Sequence, residues 1–389
     1  MIARVSILII LMIVFSYWYL EKRYLKKRFK NSKVKRSLWW TPGIFMMLYT
    51  IYLSFTKNFL PDDISIVNRY LFLLGIFVIP IAIYAICSAF GKAWCIIRKT
   101  KKNWGNLIGF FLALYSMYVV IYGSTIGIRK LEINRMELAF KDLPDAFDGY
   151  RIAVFADAHV GTFTGSWKNI LDRDIDSINA QKADAIMFLG DIQNIKPSEL
   201  YPVQDILMKL KAKDGVFSVL GNHDYNDYTN EDPAIEAANE REVISREIQF
   251  GWNVLRNEHF TIRRGNQSIV FAGEESACLK KSEPKRDIEK TLEGVSDDAF
   301  VVLMQHAPLV WRDDILPKSN AQLTLSGHTH GGQISLFGFR PISLTTKEYL
   351  GLYKEGDRML FVTAGIGGVV PLRFGISPEI AVITLRKAK

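Results

Sequence analysis

The sequence predicts an α-helical membrane domain in residues 1–128 followed by an α/β domain in residues 129–389. Three observations lead to this prediction. Four long apolar runs are confined to the first third of the chain, whereas short apolar runs typical of β-strands recur after it. The two parts carry net charges of opposite sign, and all six histidines lie in the second part. This separation of chemistry from hydrophobicity indicates an enzyme domain attached to a membrane domain.

The charge is distributed unevenly along the chain. Residues 1–130 contain 19 Lys and Arg against three acidic residues, a net charge of +16, whereas residues 131–389 contain 30 against 37, a net charge of −7. The chain is 49% hydrophobic, far too apolar for a disordered protein. An acidic second part repels a polyphosphate, so we expect no nucleic-acid binding.

The four apolar runs of the first third are each long enough to cross a bilayer. A spanning helix needs about 20 mostly apolar residues, because lipid offers no hydrogen-bond partner to an exposed peptide group. Any one run could instead be a buried core helix, but four in succession favour a membrane domain. We expect four transmembrane helices, at approximately residues 2–20, 38–55, 70–90 and 107–127.

The loops between these runs predict the orientation, since Lys and Arg of short loops stay in the cytoplasm. The first loop, 21–37, holds nine basic residues and the third, 91–106, holds five, whereas the second holds only Lys57 and Arg69. Both termini then lie outside, so we expect a multi-pass protein of the inner (cytoplasmic) membrane whose second part is extracytoplasmic. Basic residues after the fourth run act against this orientation. Cleavage of the first run as a signal peptide would change the parity, but Tyr17, Trp18 and Tyr19 stand where a small-residue cleavage site would be needed.

One pattern occurs five times in the second part: a short apolar run leads into polar residues that can bind a metal. Helix-compatible stretches at 166–179, 198–211 and 232–249 lie between several runs. Strands that alternate with helices favour a parallel sheet, whose ligands gather beyond the carboxyl ends of the strands. We therefore expect all five clusters at one edge. The runs are 151–156, 185–189, 216–220, 300–305 and 322–326.

Spacing within the clusters predicts which side chains act together. In a strand, residues two apart point to the same face, so the pair Asp157 and His159 and the pair His328 and His330 should each bind one centre. Glycines precede three of the clusters, at positions 190, 221 and 327, where they let the chain turn sharply and keep backbone bulk away from the site.

The clusters supply seven side chains that can bind metal ions, with His223 beside them. Taken singly, each is more simply a polar residue at a strand end, but their joint occurrence favours a metal site. Imidazole and carboxylate without thiolate suit Mn, Fe or Zn, and seven ligands suit two divalent ions that share one carboxylate. Two such ions polarise a bridging water to hydroxide, which attacks phosphorus in line. The seven are Asp157, His159, Asp191, Asn222, His306, His328 and His330.

These residues stand in the motifs Asp157-x-His159, Gly190-Asp191, Gly221-Asn222-His223-Asp224, His306 and Gly327-His328-x-His330. In this order they resemble the calcineurin-like metallophosphoesterase superfamily, and segments 143–152, 331–333 and 371–379 resemble its bacterial membrane-associated subgroup. The resemblance covers almost all of the second part. It implies a four-layer α/β/β/α sandwich of two packed sheets.

The resemblance also implies a role for each site residue. Asp157, His159 and His330 would bind the first metal. Asn222, His306 and His328 would bind the second, with Asp191 between the two ions. His223 would be a catalytic group beside the scissile bond, and Asp224 would orient it. One departure is Asn194, at a position where many relatives carry a second acid.

We therefore expect a membrane-anchored dinuclear-metal phosphoesterase that hydrolyses phosphodiester, pyrophosphate or phosphomonoester bonds. Four spans, and a short linker at 128–142 that keeps the site near the bilayer, favour a lipid-linked or cell-envelope substrate. Two alternatives stay open. The same hydrolase could face the cytoplasm and act on a nucleotide-linked lipid precursor, or a catalytically inactive membrane protein could bind a phosphorylated ligand. The oligomeric state is left open.

Several residues allow two interpretations. Arg373 would contact an anionic substrate or pair with Glu379, and the basic first loop would bind membrane lipid headgroups or simply set the topology. His259 belongs to no cluster and is expected on a surface strand. The second part has one cysteine, Cys278, so it cannot form an internal disulfide.

Overall fold

The computed structural model describes residues 2–30, 32–56, 63–226, 228–229, 231–276 and 285–388. Lys57 and Cys278, which entered the sequence predictions, lie outside these residues. The chain divides into two compact units, Met1–Ile126 and Gly127–Lys389, and each is described by itself.

The first unit is helical. The predicted runs at 2–20 and 38–55 lie in α1 and α3. The run at 107–127 lies in α6 except for its last two residues, and the run at 70–90 is divided between α4 and α5. The break falls at Val78, two residues before Pro80, which has no amide hydrogen to donate. A π-helical turn, Glu21–Leu25, follows α1. The helices are α1 (Ile2–Leu20), α2 (Lys26–Arg28), α3 (Lys33–Phe55), α4 (Ile64–Phe77), α5 (Ile79–Ile97) and α6 (Trp104–Thr125).

Two helical stretches among the described residues are long and apolar enough to cross a membrane, Ile64–Ile97 and Trp104–Arg129. The first of them contains both α4 and α5. The structure therefore has helices at all four predicted positions but does not confirm the expected count of four membrane spans.

Among the described residues, the second unit contains two mixed β-sheets. In the first sheet the strand order is β1-β12-β2-β3-β4-β5, with β12 antiparallel to β2 and the other pairs parallel. In the second sheet the order is β10-β11-β9-β8-β7-β6, with antiparallel pairs at both ends. The strands are β1 (Glu132–Phe140), β2 (Arg151–Phe155), β3 (Ala185–Phe188), β4 (Val216–Ser218), β5 (Asn253–Val254), β6 (Glu258–Arg264), β7 (Gln267–Glu274), β8 (Phe300–Gln305), β9 (Leu323–Ser326), β10 (Gly351–Glu355), β11 (Arg358–Val362) and β12 (Glu379–Lys387).

Alternation along the strands divides the apolar residues into three cores. One core lies between the sheets, where Val154 of β2 belongs to the same cluster as Phe271 of β7. On the other face of the first sheet, Phe155 belongs to a cluster with Ile175, and the outer face of the second sheet packs on Trp311. This arrangement confirms the expected α/β fold with two packed sheets. The helices are α7 (Lys168–Asn179), α8 (Gln204–Leu207), α9 (Pro233–Gln249), α10 (Ile288–Thr291) and α11 (Leu316–Lys318).

Two expectations about the second unit were wrong. The stretch 198–211 is not one helix, because Pro202 interrupts it, and it forms short 3-10 turns and the single turn of α8. The segment 128–142 is not a linker either. Residues 132–140 are strand β1, which pairs with β12 along its whole length.

Candidate metal centre

All seven predicted ligands follow the ends of strands. Asp157 and His159 follow β2, and Asp191 and Asn222 follow β3 and β4 of the same sheet. The remaining ligands, His306, His328 and His330, follow β8 and β9 of the other sheet. The clusters therefore converge as predicted, but they come from the edges of two sheets instead of one.

Asp191 lies at the middle of the converging side chains. Its Oδ2 is 3.2 Å from Nε2 of His306 and 3.7 Å from Nε2 of His159. Its other oxygen, Oδ1, accepts a hydrogen bond from the amide of His223 at 2.8 Å. Because Oδ1 is held by this amide, Oδ2 is the oxygen presented to both histidines.

Further ligand atoms lie on either side of Asp191. Nε2 of His306 is 3.2 Å from Oδ1 of Asn222 and 3.2 Å from Nδ1 of His328. On the other side, Nε2 of His330 is 3.9 Å from Oδ1 of Asp157. Among the described residues, three groups have ligand atoms that all lie within 4.8 Å of one another: Asp157, His159 and His330; His159, Asp191 and His223; and Asp191, His306 and His328.

The grouping corrects the expectation drawn from strand alternation. Asp157 and His159 share a group, but His328 and His330 belong to different ones. The reason is that β2 ends at Phe155 and β9 at Ser326, so the ligands lie in loops, where the alternation of a strand does not apply. Five of them have left-handed backbone, a conformation that non-glycine residues rarely adopt and that is concentrated at functional sites. Their φ angles are +52° (Asp157), +43° (His159), +60° (Asp191), +70° (His328) and +51° (His330).

Two glycines allow the loops to approach each other. Gly190, just before Asp191, has φ +94°. Gly221 has an ordinary φ, but a side chain there would overlap Oδ1 of Asp191. The loop after β4 can therefore reach the loop after β3 only because residue 221 has no side chain.

Main-chain carbonyls orient two of the ligand rings. Nδ1 of His306 is 2.7 Å from the carbonyl oxygen of Leu189, and Nδ1 of His159 is 3.1 Å from that of Gln193. A carbonyl oxygen can only accept, so Nδ1 carries the proton in both rings. Nε2, the nitrogen that faces Asp191, is then the one left to bind a metal ion.

His223 is oriented in the same way, but not by the residue we expected. Its Nδ1 is 2.6 Å from the carbonyl oxygen of Asn194, and its ring stacks on Tyr228 at 4.3 Å between centroids. Asp224 instead accepts main-chain hydrogen bonds from Asp191 at 2.7 Å and Gly221 at 2.8 Å. The amides of Ile192 and Gln193 also donate to its carboxylate. With both carboxylate oxygens occupied, Asp224 holds two loops together.

Burial and neighbouring charges shift the pKa values of the ligand residues in different directions. Burial raises the pKa of Asp157 to about 7, and lowers the pKa of His159 to about 3 and of His328 to about 4. Burial also opposes the charged form of His306, but Asp191 outweighs it and raises the pKa of His306 to about 9. The pKa of Asp191 lies well below its ordinary value because His306 and His223 outweigh the effect of burial.

The donor set fits divalent metal ions. Nε2 of His159 and Nδ1 of His330 are buried and have no hydrogen-bond partner among the described residues. A buried polar atom without a partner costs free energy, and a cation bound by neutral imidazoles and carboxylates would supply one. The structure thus brings together all seven residues that the sequence predicted as ligands.

Arg373 has neither of its two expected roles. It is fully buried, and it donates hydrogen bonds to the carbonyl oxygens of His330 at 2.8 Å and Ala364 at 2.7 Å. Burial lowers the pKa of the guanidinium to about 10. Arg373 therefore holds the loop of His330 in place through hydrogen bonds to main-chain carbonyls. No sequence pattern predicted this role of Arg373, and the stacking of Tyr228 on His223 was not predicted either. An aromatic residue five positions after His223 was the signal that could have indicated the stacking.

A cavity of about 500 Å³ opens beside His328. Leu309, Ile342 and Lys347 line it, together with Arg312, which is paired with Glu348 at 2.6 Å. The cavity offers room for a substrate next to the ligand cluster. His259 lies outside it, half-buried on β6 with Nδ1 3.0 Å from a main-chain carbonyl oxygen.

Comparisons with known proteins agree with this arrangement. Residues 150–332 match the family model of the calcineurin-like phosphoesterases, and residues 3–128 match that of a probable calcineurin-like phosphoesterase, transmembrane domain. An uncharacterized metallophosphoesterase of Bacillus subtilis is 34% identical over 257 residues, which are 63% of this chain and 82% of that protein.

One further relative matches the chain over almost its whole length, and another is named a transmembrane protein. An uncharacterized metallophosphoesterase of Helicobacter pylori is 25% identical over 382 residues, 96% of both chains. A zebrafish transmembrane protein with metallophosphoesterase domain is 27% identical over 281 residues, 69% of this chain. The match spans 61% of the zebrafish protein's own length. The crystal structure of a zebrafish dimetal phosphatase aligns at a TM-score of 0.32 and 13% identity, covering 56% of this chain and 88% of that one.

Proposed function

The chain belongs to the calcineurin-like metallophosphoesterase family, and from this premise we propose that it is a membrane-anchored phosphoesterase with two divalent metal ions, of Mn, Fe or Zn. It would hydrolyse phosphodiester, pyrophosphate or phosphomonoester bonds. The observation that carries the proposal is the position of Oδ2 of Asp191, 3.2 Å from His306 and 3.7 Å from His159. One carboxylate oxygen thus faces two sets of ligands.

We assign the ligands according to these two sets. Asp157, His159 and His330 would hold one ion, and Asn222, His306 and His328 the other, with Asp191 shared by both. The spacing within the groups supports this division. When bound, the two ions supply Lewis-acid activation of water and neutralise charge on the phosphate group.

His223 would act on the leaving group. Its Nδ1 donates to the carbonyl oxygen of Asn194, so Nε2 is the nitrogen left for substrate, and the ring lies 4.8 Å from that of His159. A protonated Nε2 would donate to the leaving oxygen as the bond to phosphorus breaks. Stacking on Tyr228 keeps the ring plane fixed. Asp224 is then a positioning residue, because it holds the loops that carry Asp191 and His223.

The substrate and the side of the membrane are part of the same proposal. The match of residues 3–128 to a transmembrane domain supports a substrate that is itself lipid-linked or part of the cell envelope. The basic loops 21–37 and 91–106 support an extracytoplasmic catalytic domain in the inner membrane.

Chelation of the full-length protein in detergent tests the activity. We expect turnover of a nitrophenyl phosphodiester and of a lipid phosphate to disappear with EDTA and to return with Mn²⁺ or Zn²⁺. Asp191→Asn should lower the metal content below two ions per chain and slow turnover at least a hundredfold. Asp172→Asn, at a half-exposed position of α7, is the control. Undiminished turnover in metal-free protein, or no turnover of either ester with metal, would contradict the proposal.

A further inference from the structure

A loop near the proposed metal centre exposes large apolar side chains. Within residues 336–344, which we call the 336–344 loop, Phe337 is 93% exposed, Leu344 is 76% exposed and Phe339 is 51% exposed. Three such side chains within eight positions place apolar surface in water. Clustered exposure of this kind marks a surface that binds something apolar.

The backbone of the loop presents these side chains by its own geometry. The main chains of Leu336 and Phe339 exchange hydrogen bonds of 2.8 and 3.0 Å, which closes a two-residue turn. Phe337 and Gly338 form its tip with φ angles of +52° and +87°. Turns of this type favour Asn, Asp or Gly at both positions, so the turn itself gives no reason for a Phe.

The base of the loop is hydrogen-bonded to segment 373–374, which lies against Gly127, the first residue of the second unit. The amide of Ser335 donates to the carbonyl oxygen of Phe374 at 2.7 Å. The carbonyl oxygen of Arg373, the residue before Phe374, lies so close to Gly127 that a side chain at position 127 would overlap it. Gly127 directly follows the helical unit and lies inside the stretch Trp104–Arg129 that is long enough to cross a membrane. Gly127, the first residue of the second unit, therefore lies beside the segment that supports the loop.

The charge of the segment suits a lipid surface. Residues 333–347 contain Arg340 and Lys347 and no acidic residue. Basic side chains next to exposed aromatic and aliphatic ones are the combination by which interfacial segments bind anionic bilayers. Phe rings and Leu enter the boundary between headgroups and acyl chains, while Arg and Lys remain among the headgroups.

We propose that the 336–344 loop binds the surface of the bilayer in which the chain's own helices are embedded. Phe337, Phe339 and Leu344 are the residues that enter the lipid. The same segment continues into Ile342 and Lys347, which line the cavity beside His328. A lipid-linked phosphate ester could then pass from the membrane into the cavity; this last step rests on the proposed function, whereas binding of the loop to lipid does not.

Fluorescence quenching in nanodiscs tests the contact with lipid. The full-length chain, with its three native cysteines replaced by serine, would carry Phe337→Cys labelled with the fluorophore NBD. Ile248→Cys is the matched control, since Ile248 is 58% exposed on α9, which packs beside strand β5. Both variants are assembled with phosphatidylcholine and phosphatidylglycerol that contain 5-doxyl phosphatidylcholine, or with iodide in the buffer.

We expect doxyl lipid to quench the label at position 337 by more than half and iodide to quench it weakly, with the reverse at position 248. Equal access of iodide to both positions would overturn the proposal. Protection of position 337 from both quenchers would overturn it as well, because a protein surface would then cover the loop. Since quenching requires neither metal nor turnover, a failure of the esterase assays would leave this result unaffected, and the reverse also holds.

Discussion

Single residues of the centre owe their orientation to main-chain atoms. The rings of three histidines have Nδ1 within hydrogen-bond distance of a carbonyl oxygen, which leaves Nε2 for a ligand or substrate. For His223 this carbonyl belongs to Asn194, the position at which the family resemblance implied an acid. Because the bond uses the main chain, the departure at Asn194 leaves the orientation of His223 intact.

His223 allows catalysis to be separated from metal binding. We expect His223→Ala to keep the metal content near that of the unmodified protein and to lower kcat by about 10²–10⁴-fold, the usual contribution of a general acid. Metal analysis together with steady-state hydrolysis of a nitrophenyl ester measures both quantities. His259→Ala, which removes a histidine outside the centre, should change neither. If His223→Ala retained full turnover, the assignment of this residue would be wrong.

The buried carboxyl group of Asp174 should make the stability of the fold depend on pH, independently of the metal centre. Its Oδ1 accepts from Arg173, but its Oδ2 is buried without a hydrogen-bond partner in the described part of the chain. Burial raises the pKa of Asp174 from 3.8 to about 6, with Arg173 opposing the shift. As the pH rises, Asp174 therefore loses its proton in the unfolded chain before it does so in the folded protein. The stability that protonated Asp174 contributes is fully present below about pH 4 and is lost as the pH rises to about 6.

Asp174→Asn should therefore raise the melting temperature of the full-length protein at pH 7 and leave it unchanged at pH 4. The shift of two pKa units corresponds to at most about 3 kcal/mol. Thermal unfolding in detergent from pH 4 to pH 8 measures the difference. Asp172→Asn on the exposed side of the same helix should give a small shift, since exposed ion pairs contribute about 0–1 kcal/mol. A parallel pH response of the two variants would count against this explanation.

At the scale of elements, the sequence predicted the strands that carry the ligands but not how the strands are divided between sheets. The five runs correspond to β2, β3, β4, β8 and β9, because short apolar stretches bounded by polar clusters are a local signal. Which sheet each strand joins depends on pairing over long distances, such as β12 with β1 and β2. The single edge predicted from local alternation was wrong for this reason.

The ligands themselves were predictable by residue type, and their division into two groups was not predictable from strand spacing. His328 and His330 are two apart, yet left-handed backbone at both turns them toward different groups. Alternation holds only while the chain is extended, and here the strand ends before the ligands begin. The positions of Arg373 and Asn194 depend in the same way on loops that no local pattern describes.

The close approach of two loops at Gly221 gives a prediction at this scale. Gly221→Ala places a methyl group against Asp191, so the loops must separate and the shared ligand must move. We expect the metal content to fall by at least one ion per chain and turnover to drop at least tenfold. Gly294→Ala, which has open space around it, should cost stability without loss of metal. Metal analysis of both variants decides, and full occupancy in Gly221→Ala would contradict the prediction.

At the scale of the whole molecule, the separation of charge predicts the topology. A net charge of +16 in residues 1–130, concentrated in loops 21–37 and 91–106, should hold those loops in the cytoplasm. We expect alkaline phosphatase fused after Lys389 to be active and green fluorescent protein fused there to be dark. Fusions that end at Thr100 should give the opposite pair of signals. Fluorescence at Lys389 in bacteria would place the catalytic domain in the cytoplasm instead.

The position of β12 between β1 and β2 affects how the polypeptide matures. A ribosome delivers β1 and β2 early, yet each must wait for residues 379–387 before it gains this neighbour. The first sheet can therefore close only after residues 379–387 have been synthesised, long after the helices of the first unit have been made. Until that moment the unfinished domain exposes unpaired strand edges, so its biogenesis depends on protection from aggregation and proteolysis.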